Sequence, residues 1–275
     1  MQIQLDPELA GREATRPAVS ISDVSHAYPE RGGGGEVAAL EHMTVHAAEH
    51  ELLAVVGPSG CGKTTLLELI CGLQRSDSGA VECLPAALMP QRDLLLPWLT
   101  AVDNAALALR IGHESRARAR ARASALFEEL GLAGFEQARP QELSGGMRQR
   151  VAFVRTLLSG KPLLCLDEPF GALDAITRAE MQTWLTDALG REPRTVVLVT
   201  HDVEEAIVLA DRVAVVSARP GRVVRELEIG LARPRSRTDP EVLALREQAL
   251  RVLASSGPRP ADVPARAGAQ DGAGR

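Results

Sequence analysis

The stretch LLAVVGPSGCGKTTLLELICGL, residues 52 to 73, constrains the fold more than any other part of the chain. A short, β-rich apolar run ends in a glycine-rich turn holding one lysine, and a helical pattern follows at once. The turn fits G-x-x-x-x-G-K-[ST] at Gly57, Gly62, Lys63 and Thr64. Glycines let successive backbone N–H groups wrap a phosphate, and a helix opening at the lysine turns its positive dipole end toward it. Pro58, Ser59, Gly60, Cys61 and Thr65 complete the expected cradle. Lys63 is then placed to neutralise β- and γ-phosphates, and the Thr64 hydroxyl to ligate Mg²⁺.

Three further apolar runs resemble the one that leads into this loop. They are PLLCLD (162 to 167), TVVLVT (195 to 200) and RVAVVS (212 to 217). Runs of this length read as strands buried on both faces, and the helical patterns between them predict an α/β fold with a parallel core sheet. Residues 18 to 28 and 37 to 47 instead alternate, as an antiparallel flanking sheet does, with RGGGGE (31 to 36) as a flexible hairpin loop. From about 97 to 160 the pattern turns helical and predicts an inserted lobe. An amphipathic helix is expected over 241 to 253, closing a folded unit of residues 18 to 255. The flanks, 1 to 17 and 256 to 275, have the Pro, Gly, Ala and Arg content of disordered tails.

Asp167 and Glu168 end the second apolar run side by side, so one carboxylate can hold Mg²⁺ while its neighbour polarises an attacking water. Other features read as structural. Cys61, Cys71, Cys83 and Cys165 form no CxxC pair and are expected to be buried, reduced thiols. His42, His46 and His50 have the four-residue spacing of helical metal ligands, yet lie in a strand-turn-strand pattern that need not bring them together. In RARARARA (116 to 123), alternate positions scatter around a helix axis, which predicts a solvated helix without one tight arginine stripe. The net charge of −5 gives no sign of a nucleic-acid partner, and no apolar stretch is long enough for a membrane helix. A cytoplasmic chain is expected.

A second glycine motif, ELSGGMRQRVAFVRTLL (142 to 158), places Ser144, Gly145 and Gly146 before another apolar-periodic helix. It resembles the LSGGQ signature of ATP-binding cassette (ABC) ATPases, with Met147 in place of glutamine. The remaining motifs stand in that family's order. Tyr28, the chain's only tyrosine, matches the adenine-stacking aromatic, Gln91 the Q-loop glutamine, Ala172–Asp174 the D-loop, and His201 the switch histidine. The resemblance covers residues 18 to about 230. It implies an ATP- and Mg²⁺-dependent ATPase that works as a head-to-tail dimer, the signature of one subunit closing over ATP held by the loop of the other. Glu168 is then the general base, His201 and Gln91 position water, γ-phosphate and Mg²⁺, and Thr64, Gln91 and Asp167 hold the metal.

LLLPWLTAVDN, LDEPFGALDAITRAEMQ, VTHDVEEAIVLADRV and SARPGRVVRELEI are similar to the ATPase subunits of nitrate, sulfonate and taurine importers, a branch that also serves pyrimidine precursors of thiamine. The implied partners are a second ATPase subunit, integral membrane permease subunits and, indirectly, an extracytoplasmic solute-binding protein. The implied location is the cytoplasmic face of the membrane. MPQRDLLLPWLT (89 to 100) then reads partly as local lobe core and partly as a contact for the membrane subunit, with Leu96 and Trp98 foremost. A soluble ABC ATPase working on nucleic acid or ribosomes is the alternative, and a small-molecule kinase leaves LSGG and His201 unexplained. Between Gly79 and Gln91 only AVECLPAALMP intervenes, shorter than the family's usual strand pair, which predicts a trimmed hairpin before Gln91.

Overall fold

A computed structural model describes residues 17–30, 32 and 34–256. The tails expected at 1 to 17 and 256 to 275 fall outside these residues except at Pro17 and Ser256, as do Arg31 and Gly33 of the hairpin loop. The elements, in chain order, are β1 (Val19–Pro29), β2 (Glu36–Ala47), β3 (Leu52–Val56), α1 (Lys63–Ile70), β4 (Ser78–Cys83) and β5 (Ala86–Met89). Then come α2 (Ala101–Ala105), α3 (Leu107–Ile111), α4 (Arg116–Glu129), α5 (Gly145–Leu157), β6 (Leu163–Asp167) and α6 (Ala175–Arg191). The chain continues through β7 (Thr195–Thr200), α7 (Val203–Leu209), β8 (Arg212–Val216), β9 (Val223–Glu228) and α8 (Pro240–Ser255).

Six strands form the core sheet in the order β5-β6-β7-β3-β8-β9, all parallel except the antiparallel edge strand β9. Every residue of β3, β6 and β7 is buried, as their unbroken apolar runs require. Strand pleating sends alternate residues to opposite faces. Leu52, Ala54, Val56, Leu164, Leu166, Val196 and Leu198 pack with the helices of the lobe and with α6 to α8. Leu53, Val55, Leu163, Cys165, Val197 and Val199 pack instead with α1 and the small sheet. That small sheet has the order β2-β1-β4 and is antiparallel.

The segment before Gln91 departs from expectation. β4 and β5 do not form a hairpin: β4 pairs with β1 in the small sheet, whereas β5 lies beside β6 in the core sheet. Only Leu84 and Pro85 join them, so the short segment is a step between two sheets. β5 therefore delivers Gln91 from the edge of the parallel sheet, next to the strand that ends in Asp167.

The cysteine reading is also corrected. Cys61 and Cys165 are buried, but Cys71 is half-buried and Cys83 exposed, because β4 is an edge strand with most of its residues open to solvent. The three histidines engage different partners: His42 Nδ1 lies 2.7 Å from Asp23 Oδ1, His46 Nε2 lies 3.3 Å from an Arg212 nitrogen, and the His50 N–H donates to Thr195 Oγ1 at 2.9 Å.

The arginine run is a helix, as expected, but not simply a solvated one. Arg116 and Arg120, one turn apart, both pair with buried Asp103, and Arg118 and Arg122 both pair with Glu114. Alternate positions taken two at a time are i,i+4 neighbours, so the repeat makes two stripes. Ala119 and Ala123 sit in the core between them.

Candidate active site

The C-terminal ends of parallel strands are where an open α/β sheet binds ligands, and here β3, β6 and β7 deliver the phosphate loop, the Asp167–Glu168 pair and His201 to the same end. β7 lies between β3 and β6, which separates the loop from the carboxylates by one strand. A cavity of about 320 Å³ opens there, lined by Ser59, Gly60, Gly62, Lys63, Thr64, Thr65, Gln91, Asp167, Glu168, Ala39 and Arg219.

The loop's shape depends on glycine. Gly62, the N-cap of α1, has φ +95°, and a Cβ there would stand 2.6 Å from the Ala39 carbonyl oxygen of β2. The Lys63 ammonium is buried and donates to the carbonyls of Gly57 (2.7 Å) and Pro58 (3.0 Å), across the loop it ends. Thr64 Oγ1 donates to Asp167 Oδ2 at 2.7 Å. Burial drives the Asp167 carboxyl above the usual range, reinforced by the charge of Glu168, while the Thr64 hydrogen bond and Lys63 act against it.

Glu168 is the hub. Its backbone sits at φ +46°, a left-handed conformation that costs a non-glycine residue about 1–2 kcal/mol. The turn is held by Glu168 N–H donating to the Val199 carbonyl at 2.8 Å and Gly171 N–H donating to the Glu168 carbonyl at 3.1 Å. Gln91 Nε2 donates to Oε2 at 3.0 Å, and His201 Nδ1 lies 2.9 Å from Oε1, so a proton on that nitrogen donates to the carboxylate. The two residues reach one carboxylate from β5 and β7, the neighbours of β6 on either side.

Other expected site residues lie elsewhere. The Tyr28 hydroxyl is 3.2 Å from Thr65 Oγ1 and 3.4 Å from Glu68 Oε2, and its ring meets His26 edge-on at 4.8 Å, so it stands against α1 at the rim. Ser144 caps α5, its hydroxyl accepting from Met147 N–H at 3.2 Å, and Gly145 and Gly146 form the first turn. Asp174 caps α6, accepting from the N–H groups of Ile176 and Thr177, both at 3.1 Å, and from the Thr177 hydroxyl at 2.7 Å. The Thr177 hydroxyl bond above all holds the Asp174 carboxyl below its ordinary range. Neither cap lines the cavity of its own subunit. Two lining residues were missed in the sequence, Ala39 and Arg219. Arg219 lies in a Pro/Gly turn with no local mark of a binding role, and only its contact with β2 reveals it.

A profile of the family described as "ABC transporter" matches residues 40–171. The aliphatic sulfonates import ATP-binding protein SsuB 2 of Pseudomonas syringae pv. tomato is 45% identical over 216 residues, which span 78% of this chain and 91% of that one. The chain belongs to the ABC transporter family. Among other relatives, the formylaminopyrimidine import ATP-binding protein ThiZ of Halalkalibacterium halodurans is 39% identical, across 77% of this chain and 84% of that one. The fold of this ABC ATPase is similar to that of the ATP-binding cassette MJ0796, solved as a dimer in a post-hydrolysis state bound to ADP and Pi. That comparison has a TM-score of 0.71 and 29% identity, covering 78% of this chain and all of that one.

The site also has the donors that an ABC ATPase needs for a hard divalent cation. Thr64, Asp167 and Gln91 offer oxygen atoms, and the Thr64 hydroxyl already lies 2.7 Å from Asp167 Oδ2. Among the described residues no group of three or more His, Cys, Asp or Glu side chains is placed to hold a metal ion.

Proposed function

We propose that the chain is the ATP-hydrolysing subunit that energises import of a small solute, with Glu168 as general base. The observation that carries this reading is the carboxylate held from both sides by Gln91 and His201, next to the Thr64–Asp167 pair and the phosphate loop. ATP lies along the loop with its phosphates on the N–H groups of residues 57 to 65, and Lys63 exchanges the Gly57 and Pro58 carbonyls for β- and γ-phosphate oxygens. Thr64, Asp167 and Gln91 would hold Mg²⁺, which would supply charge neutralisation to the phosphates. Glu168 takes a proton from water, the water oxygen bonds to the γ-phosphorus, and the bond to the ADP oxygen breaks. His201 and Gln91 keep Glu168 and the water in line.

The second half of each site comes from a partner copy, whose Ser144, Gly145 and Gly146 approach the γ-phosphate while Asp174 helps to frame the interface. Ser144 and Gly145 are exposed at the N-terminal, positive dipole end of α5, which supports this reading. Tyr28 at the rim is available to the adenine ring.

The transporter context rests on the import functions named for the relatives, and the solute is an aliphatic sulfonate, a pyrimidine or a close analogue. No helix among the described residues is long and apolar enough to cross a membrane, and the chain acts at the cytoplasmic face against permease subunits that receive solute from a binding protein outside. MPQRDLLLPWLT supplies the contact. Leu95 is core and Leu96 half-buried, whereas Leu94 and Trp98, downstream of Gln91, are 58% and 67% exposed. Nucleic acid has no place in this reading, since the arginines of α4 are already paired with Asp103 and Glu114.

Glu168→Gln tests the central claim. Hydrolysis should fall at least about 100-fold while ATP holds two copies together on a sizing column; turnover at the parent rate would remove Glu168 as base. Trp98→Asp should weaken co-purification with the permease and leave ATP affinity unchanged, whereas equal loss of both would assign Trp98 to folding instead.

A further inference from the structure

The tip between β8 and β9 is wedged against the phosphate loop. Gly221 N–H donates to the Ala39 carbonyl at 2.9 Å, the Glu41 N–H donates to the Gly221 carbonyl at 3.1 Å, and Arg222 pairs with Glu41. A Cβ on Gly221 would fall 2.1 Å from the Cys61 carbonyl oxygen, so only glycine allows this approach. The turn is stiffened from within: Ser217 Oγ donates to the Pro220 carbonyl at 3.0 Å and accepts from the Arg222 N–H at 3.1 Å. Arg219 stands at the apex.

Its side chain is held at one point. Nε donates to the Ala38 carbonyl of β2 at 3.2 Å, and among the described residues the terminal guanidinium nitrogens have neither a carboxylate nor a carbonyl partner. Lys63 and Arg219 are the two cationic side chains lining the cavity, against the carboxylates of Asp167 and Glu168. Lys63, at the start of α1, and Arg219, anchored on β2, reach the cavity from different elements. A planar guanidinium with free terminal N–H groups is suited to phosphate oxygens.

The geometry points to Arg219 as a nucleotide-binding residue whose terminal N–H groups bond oxygens of the triphosphate chain. This rests on the cavity being the nucleotide site. β8, β9 and the small sheet thereby become part of the binding site: the clamp of Gly221 on Cys61 fixes the arginine relative to the loop. Arg219 raises nucleotide affinity and takes no part in proton transfer.

The test compares Arg219→Gln, Arg219→Lys and Lys63→Ala in the full chain, with ATP and GTP as probes. Arg219→Gln keeps a donor for Ala38 but loses the charge. It should weaken binding of both nucleotides by about tenfold or more, with kcat within about twofold, and Arg219→Lys should recover part of the loss. The difference should shrink as salt is raised. Unchanged ATP affinity in Arg219→Gln, with Lys63→Ala abolishing binding, overturns the role of Arg219 and leaves the site intact. Unchanged affinity in both variants overturns the site itself. A loss for ATP but not GTP overturns the phosphate contact, and a fall in kcat without a change in affinity overturns the binding role.

Discussion

In the central sheet, β6, β7 and β3 lie side by side with every residue buried and no charged side chain until Asp167. The helical lobe buries polar side chains among its apolar ones: Asp103 is 3% exposed and gripped by two arginines, and the fully buried Asn104 amide donates to the carbonyls of Leu96, Leu99 and Thr100. Both regions share one continuous apolar cluster. Apolar packing is non-directional and makes the sheet a stiff platform for the polar groups at its C-terminal edge. Hydrogen bonds to backbone fix a particular path of the chain, and in the lobe that path is the segment running on from Gln91. Arg155 donates to the carbonyls of Asp93 (2.7 Å) and Leu94 (2.9 Å), and Arg148 Nε donates to Asp93 Oδ2 at 3.1 Å. Both arginines belong to α5, the helix that Ser144 opens. The polar lobe thus ties the signature helix to the residues beside the carboxylate.

The sheet should be the more sensitive to lost volume. Leu166→Ala removes a fully buried side chain from β6 and should cost about 3 kcal/mol, read as a lower midpoint in urea for the whole chain. A loss under about 1 kcal/mol would mean that the sheet relaxes around the cavity and is not the stiffer region.

Asn104→Ala should act differently. It orphans the Leu96 N–H, which now donates to Asn104 Oδ1 at 2.8 Å, and the Leu99 carbonyl, while the carbonyls of Leu96 and Thr100 keep the N–H groups of Leu99 and Asn104, for a cost of about 2 kcal/mol. Amide exchange should quicken over 96 to 100, around Trp98, while the strand amides of β6 and β7 keep their protection. Uniform loss of protection would erase the distinction between the two regions.

This contrast also explains what could be read from the sequence. Strands such as LLAVV and TVVLVT announce themselves by length and unbroken apolarity, and the loop by glycines around a lysine. The carboxylate pair was legible at the end of an apolar run, whereas Gln91 and His201 were legible only through their resemblance to the family's motif order. The partners of polar groups were not legible. RARARARA carries no sign that Asp103 lies under Arg116 and Arg120, and the step from β4 to β5 depends on which sheet edge is open. Arg219 meets β2 across 181 residues of sequence, a distance no local pattern spans.

The lobe's ion pairs give the smallest effect and the sharpest pH signature. Burial opposes ionisation of Asp103, but the hydrogen bond from Arg116, the charge of Arg120 and the Thr100 hydroxyl outweigh it and hold the carboxyl below the usual range. A folded pKa below the unfolded one means stabilisation that is complete above about pH 4 and lost as pH falls through the folded value. Asp103→Asn should therefore cost about 1–2 kcal/mol at pH 7, with the gap from the parent closing toward pH 3. Arg118→Ala, which breaks only a pair with Glu114 at 79% side-chain exposure of the arginine, should cost less than about 0.5 kcal/mol at any pH. If the Asp103→Asn gap stayed constant down to pH 3, shape and hydrogen bonding would account for the buried aspartate. The two arginine stripes would then differ in geometry alone, and the charge of the lobe would contribute nothing that its packing does not.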